Sequence, residues 1–541
     1  MKGFECFTVS CLEKIFPNRV PEFRETQNVC FSNEIFSFQV AFFDSTHDFL
    51  LQRGHWHIEG TLKDFVQIRP VYCVPETLPC LAGSDDYYLT KGSEIVPDLL
   101  AEEDFFVVRL GQWGGLWVTV SGNLPEGNHK ICISLQMGEE TVGNVEYNLK
   151  VEAEELPESN IKYAHWMHYD CIAQQHGVMP DDEKFLNLLK NYLKNSAAHG
   201  VNVCFVPLFT PPLNTAVGKE RMTIQLVDVE EKGGKYIFGF ERVLRFMKQA
   251  EECGMKYFEM SHLFSQWGAL HPPKIIAKCG AVKKQIFGWD DDSLGEKYVL
   301  FLKQFLSDFS CCLRSEGYDE DRVFFHISDE PNVKSIERYI KIKKIVCSSL
   351  QGYKIMDALS DYDFYLRGGV EIPVSTTDHA CDFLSHGVDN LWVYYCCGHG
   401  GQYLSNRFLS MPLQRTRILG YQLYLCGCKG FLHWGYNYYN SALSERIVNP
   451  YVVTDADGSF PSGDSFIVYP GMKGPLDSIR HETMFDAIQD YRMLLLLEKK
   501  IGRKETCLLL QKEGIKSFNE YPRSAYQHME IRKKIISQIL S

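Results

Sequence analysis

The sequence predicts an N-terminal β-sandwich followed by a (β/α)8 barrel, and three observations carry that expectation. The first 155 residues read as short alternating strands. From Ile161 onward a strand-then-helix pattern recurs eight times, punctuated by glycines. At 541 residues, the chain also exceeds what one hydrophobic core organises.

In the N-terminal part, EIFSFQVAFF, WHIEGTLKDFVQIRPVYCV, LWVTVSG and GNVEYNLKVEA are apolar runs separated by turns, as in a sandwich. The polar stretch EAEELPESN, with Pro157, reads as a linker. Domains are therefore placed at residues 1–155 (sandwich), 156–505 (barrel) and 506–541 (helical tail).

The barrel expectation rests on register. IKYAHWMHYD opens the series, and a glycine then ends each helix near the next apolar run. Gly200 precedes VNVCFVPLF, Gly254 precedes MKYFEMSHLF, Gly317 lies before RVFFHISDE, and Gly352 precedes YKIMDALS. Gly369 precedes VEIPVSTTD, Gly387 lies before NLWVYYCCG, and Gly430 precedes FLHWGYNYY. Glycine suits the left-handed residue that terminates a helix, so it belongs in αβ connections. Phe185, Leu188, Leu189, Tyr192 and Leu193 fall on one helix face, and Phe485, Ile488, Tyr491 and Leu495 mark a closing helix. Strands five and six are weak, with short helices after them. Two long βα connections follow strands two and eight, the first ending in a hairpin; this is the side of a barrel where active sites are built.

Composition excludes several classes. With 45% hydrophobic and 23% charged residues and a net charge of −13, the chain fits neither disordered, collagen-like nor membrane proteins, and it lacks the footprint of a nucleic-acid binder. The N-terminus has no signal-peptide apolar stretch and no later segment spans a bilayer, so a cytoplasmic protein without a membrane partner is expected. Nineteen cysteines, an odd number with several inside strand-like runs (Cys204, Cys396, Cys426), read as reduced thiols. Spaced CxxC halves are lacking, and His168 with Asp170 has no third partner, so no metal or other cofactor is expected.

Strand four ends HISDEP, which puts Asp329 and Glu330 at the catalytic edge of the barrel. Adjacent strand residues face opposite ways, so both serve one site only if the strand end is bent or bulged, as Pro331 allows. Two carboxyls in one pocket repel, and one keeps its proton: a general acid beside an anion, as glycoside cleavage requires. Strands seven and eight carry no acid at their tips; Asp378, Asp357 and Asp170 remain as conventional second carboxylates. The gap invites substrate assistance, in which the sugar's own 2-acetamido oxygen attacks the anomeric carbon and the neighbouring anion holds the acetamido N–H.

Around these acids Trp166, His168, His262, Trp267, Tyr394, Tyr395, His433, Trp434 and Tyr436 offer aromatic faces and polar rims that suit a pyranose, and Asn437 adds an amide. About half of them are assigned to barrel packing. His168, His262, Trp267, Tyr395, Trp434 and Asn437 are the candidate substrate contacts.

The runs HYDCIAQQHGV, FTPPLNT with GKERMTIQLV, EMSHLFSQWGA, FHISDEP, GDSFIVYPG and RHETMFDAIQDYRMLLLLE occur in an order that resembles the catalytic domain of glycoside hydrolase family 123, the β-N-acetylgalactosaminidases, from about Tyr163 to Glu498. The resemblance implies a sandwich and barrel that release terminal β-linked N-acetylgalactosamine from a glycan or oligosaccharide by retaining, substrate-assisted hydrolysis. It further implies Asp329 as the residue that orients the acetamido group and Glu330 as the acid/base. A barrel glycosidase with a conventional carboxylate pair and a non-catalytic glycan-binding protein are the alternatives.

Overall fold

A computed structural model describes residues 3–45, 50–81, 83–331 and 333–541. The N-terminal part is a sandwich of two five-stranded sheets. Phe36, Phe38, Val40 and Phe42 alternate inward from the strand Phe36–Asp44. They meet Ile131, Ile133 and Leu135 of Gly127–Met137 and Val145, Tyr147, Leu149 and Val151 of Glu140–Glu152. This two-residue period is what one buried sheet face demands.

The second part is a closed barrel of eight parallel strands. They are Lys162–His165, Val203–Val206, Tyr257–Met260, Val323–Phe325, Lys354–Ala358, Ile372–Thr376, Trp392–Tyr394 and Gly430–His433. The last pairs with the first, closing the ring. All eight expected runs supply a strand. Six of the seven punctuating glycines have φ between 46° and 108°. Gly430 differs: it lies inside strand eight, where a Cβ would stand 2.1 Å from Cδ2 of Trp392. Gly427, with φ 70°, ends the preceding helix instead.

Helix Glu183–Ala198 buries Phe185, Leu188, Leu189, Tyr192 and Leu193, and the closing helix Ile479–Ile501 buries Phe485, Ile488 and Tyr491. The connection after strand two ends in the expected hairpin, Asp228–Lys232 with Lys235–Gly239. A second hairpin, Ile275–Cys279 with Val282–Phe287, follows strand three and joins the first in a four-stranded sheet. It was not foreseen.

Buried ion pairs fasten the sandwich to the barrel. Arg69 reaches Asp477 (2.7 Å) and Glu482, and Asp98 takes Arg480 (2.8 Å). The C-terminal helix Ala525–Leu540 joins both parts through Arg532, which pairs with Glu34 and, at 2.9 Å, with Asp490. The conspicuous charges of RHETMFDAIQDYRM thus serve architecture, with Arg480, Glu482, Asp486 and Asp490 in buried pairs. All nineteen cysteines are free thiols, and among the described residues no helix is long and apolar enough to cross a membrane.

Candidate active site

The segments leaving strands three and four run side by side past the barrel rim. Leu263 N–H donates to the carbonyl of His326, Phe264 N–H to Ile327, and Trp267 N–H to Asp329 (3.0 Å). The Ser328 hydroxyl donates to the Ser265 carbonyl at 2.8 Å. This zipper brings SHLFSQWG against HISDEP and fixes both carboxyls.

The bend that lets adjacent residues share a site comes from the backbone of Glu330, whose φ is 48°. Left-handed φ is uncommon outside glycine, and such residues gather at functional sites. Trp267 (φ 57°), Asn214 (43°), Leu443 (57°) and Ser444 (55°) do likewise, and Asn214 links them: its carbonyl accepts from the Ser444 hydroxyl at 2.7 Å and its side chain from Leu443 N–H at 3.0 Å. Gln266 bridges this knot to the acids, taking the Asn214 N–H and donating its amide to Asp329 Oδ2 at 2.6 Å.

Asp329 is only 8% exposed. Burial, then the neighbouring charge of Glu330, pushes its carboxyl up to about 7, against the pull of Gln266 and His326. Glu330 stands further out and accepts from the Tyr394 hydroxyl at 2.7 Å, with the Trp267 indole N–H at a long 3.4 Å. Burial and the charge of Glu330 raise Tyr394 well above its ordinary range, so it remains a donor. An open groove of about 650 Å³ lies over Glu330, walled by Thr376, His379, Tyr394 and His399. Trp267, 51% exposed, presents an indole at the rim.

The remaining candidates divide. His168 and Trp434 occupy the tips of strands one and eight: His168 Nε2 lies 2.9 Å from the Trp434 carbonyl, and Arg221 Nη2 lies 3.2 Å from its Nδ1. Three expectations require correction. Tyr395 is fully buried, its hydroxyl turned to Met484 Sδ at 3.1 Å, so its neighbour Tyr394 is the tyrosine at the acids. One residue along a strand reverses the face. Asn437 is buried with both amide ends spent on the backbone of His168 (2.8 and 3.1 Å). His262 is buried in the barrel interior, stacked on His326 at 4.4 Å.

The conventional second carboxylates are placed as follows. Asp170 is held bidentately by Arg221 (2.6 and 2.7 Å), and Asp357 is fully buried. Asp378 lies behind two residues of the groove wall, 2.9 Å from His379 Nδ1 and 3.7 Å from His399 Nε2. The tips of strands seven and eight do receive an acid, contrary to expectation: Asp464, from the loop after strand eight, accepts from the Trp434 indole at 3.1 Å. It is completely buried, which pushes its carboxyl up to about 7, so it anchors Trp434 and does not face the groove.

Among the described residues, two groups bring potential metal-ligand atoms within 4.8 Å of one another: His199, Asp477 and His481, and His262, His326 and Asp357. In the first, Arg69 already neutralises Asp477. In the second, Asp357 accepts from Ile327 N–H (2.9 Å) and Tyr339 O–H (2.6 Å). The ring nitrogens of His262, Nε2 of His326 and Nε2 of His481 have no hydrogen-bond partner among the described residues.

With this geometry in place, comparison with known proteins is decisive. The family described as "Glycoside hydrolase 123, catalytic domain" matches residues 166–497, more than half of the chain. The chain belongs to glycoside hydrolase family 123. It is therefore a glycosidase that acts on glycans. A solved family 123 glycoside hydrolase from Clostridium perfringens, described in terms of glycolipid glycan hydrolysis, is similar over 99% of this chain and 97% of its own, with a TM-score of 0.73 at 13% identity. A Bacteroides ovatus family 5 xyloglucanase shows a weaker likeness, with a TM-score of 0.35 at 9% identity over 86% of this chain and 98% of its own. A comparison with curated proteins finds no match. Sequence reasoning missed Gln266, Asn214, Tyr394 as the Glu330 partner, and Arg221. Gln266 stood beside Trp267 in a run already singled out.

Proposed function

We propose that this family 123 enzyme releases terminal β-linked N-acetylgalactosamine with retention, the substrate's acetamido oxygen serving as nucleophile. The observation that carries the proposal is the pairing itself. Two adjacent carboxyls occupy one rim, one sunk and amide-bound, the other outward beneath an open groove. Asp329, raised to about 7, is suited to accept the acetamido N–H as its oxygen attacks the anomeric carbon. Glu330, oriented by Tyr394, gives its proton to the departing glycosidic oxygen. It then takes a proton from the water that opens the oxazolinium ion, whose N–H stays bonded to Asp329, and two inversions give net retention. One proton shared by the pair is enough; the productive arrangement has it on Glu330.

Galacto preference rests on family membership and on the resemblance of the motif series. Glycolipid glycan is the substrate named for the Clostridium perfringens relative, and it is the class to try first. The test compares aryl β-glycosides. β-N-acetylgalactosaminide should be cleaved and β-galactoside, which lacks the acetamido group, should not. Comparable turnover of both would overturn substrate assistance and turn attention to Asp378.

A further inference from the structure

Inside the barrel lies a polar cluster that the chemistry so far does not use. Glu259 belongs to strand three, His262 to the segment leaving it, His326 directly follows strand four, and Asp357 belongs to strand five; none is more than 1% exposed. The two carboxylates are met by neutral donors. Asp357 accepts from Ile327 N–H (2.9 Å) and Tyr339 O–H (2.6 Å), and Glu259 accepts from the Trp166 indole (2.7 Å). Among the described residues their only ion-pair partner is His326, whose Nδ1 lies 3.3 Å from Asp357 Oδ1 and whose Nε2 lies 3.8 Å from Glu259 Oε2. One imidazolium balances one of these charges and leaves the other buried without a counter-ion. A divalent cation between neutral rings balances both, and buried charges persist when paired or bound to metal.

The distances point to where that cation sits. Two ligands about 2.0–2.1 Å from one zinc ion, in tetrahedral disposition, stand about 3.3 Å apart. His326 Nδ1 and Asp357 Oδ1 have that separation, which is long for a hydrogen bond between charged partners. The ligand atoms of His262, His326 and Asp357 all lie within 4.8 Å of one another, so a shift of at most about 1.5 Å brings His262 to the same separation. The His262 ring runs alongside that of His326, with centroids 4.4 Å apart and 26° between the planes. Neither of its nitrogens has a hydrogen-bond partner, although the residue is buried. A metal bond would give this orphaned imidazole a partner.

We propose that His262, His326 and Asp357 bind one zinc ion, with a water in the fourth position, as a structural site that ties the segments leaving strands three and four to strand five. Two imidazoles and one carboxylate suit zinc, whereas calcium and magnesium take oxygen ligands. With Nδ1 on the ion, the proton of His326 is on Nε2 and turned toward Glu259, which Trp166 holds in place. A carboxylate behind a metal-bound histidine fixes its tautomer and ring orientation in this way. It also gives a partner to Nε2 of His326, which otherwise has none. The second histidine group, His199 and His481 with Asp477, already has a cation in Arg69. Because its ligands are enclosed, the ion is taken up as the barrel closes and exchanges slowly.

The test uses the full chain, produced in zinc-supplemented medium and dialysed against EDTA to strip ions from exposed cysteines. Elemental analysis should find about one zinc per chain, and X-ray absorption at the zinc edge should show nitrogen and oxygen neighbours at about 2.0–2.1 Å with the scattering of two imidazoles. His262→Phe keeps a ring on the stack and removes both nitrogens, so it should lose the ion, whereas His481→Phe should keep it. Less than about a tenth of a zinc per wild-type chain, or sulfur neighbours, would overturn the proposal. So would an ion retained by His262→Phe or lost from His481→Phe. Should the variants not fold, the stoichiometry and absorption spectrum of the wild type decide.

Discussion

Asp329→Asn should stabilise the protein at neutral and alkaline pH while abolishing most of its activity. The carboxyl rises from an ordinary 3.8 to about 7 on folding, with burial as the leading cause. A folded-state value above the unfolded one means that the native state binds the proton more tightly. Stability contributed by this group is then full below about pH 4 and is lost as pH rises through 7. The interval corresponds to on the order of 4 kcal/mol of penalty for keeping a carboxylate there at pH 8. Asparagine keeps the shape and an acceptor for the Gln266 amide but never ionises. Thermal or urea unfolding of both proteins at pH 5 and pH 8 should therefore show Asp329→Asn gaining on the wild type as pH rises. An unchanged difference between the two pH values would refute the claim that Asp329 is held against its own burial. This is the stability cost that active sites carry for function.

Other consequences follow from single contacts. Tyr394→Phe removes the 2.7 Å hydrogen bond that orients Glu330, about 0.5–1.5 kcal/mol for the protonated acid, and should lower kcat/KM roughly two- to tenfold. Tyr395→Phe, which severs only a contact to Met484 Sδ, should stay within about twofold of wild type. Equal effects of the two would invalidate the assignment of strand face. Arg532→Ala strips Glu34 and Asp490 of a buried partner and should cost about 3 kcal/mol in urea unfolding without changing substrate preference; a loss under about 1 kcal/mol would contradict its role as a latch.

The barrel was legible because βα repetition leaves marks at two scales. Apolar runs give the strands, and left-handed glycines such as Gly200 and Gly254 give their spacing. Gly430 carried the right meaning for the wrong reason: it admits Trp392, a long-range contact with no local signature. The hairpin Val282–Phe287 stayed hidden because its residues, VKKQIF, are mostly exposed and lack a buried face to impose alternation. At the site, Asp329 and Glu330 were readable from their place at the end of a strand. Tyr394 was confused with Tyr395 because sequence shows alternation but not which phase faces the mouth. Asp464 escaped notice because it arrives from a loop thirty residues beyond the strand tip it reaches. His326 lay in plain view within HISDEP, but its meaning depends on Glu259 and Asp357, which only barrel closure brings to either side of it.

The most direct test of the central claim, that the substrate supplies the nucleophile beside Asp329 and Glu330, replaces the acetyl group of an aryl β-N-acetylgalactosaminide by mono-, di- and trifluoroacetyl. Each fluorine withdraws electrons from the amide oxygen. The account predicts that kcat/KM falls steeply and progressively along the series while the aglycone is unchanged. A rate insensitive to fluorination would contradict it and require a carboxylate nucleophile from the protein.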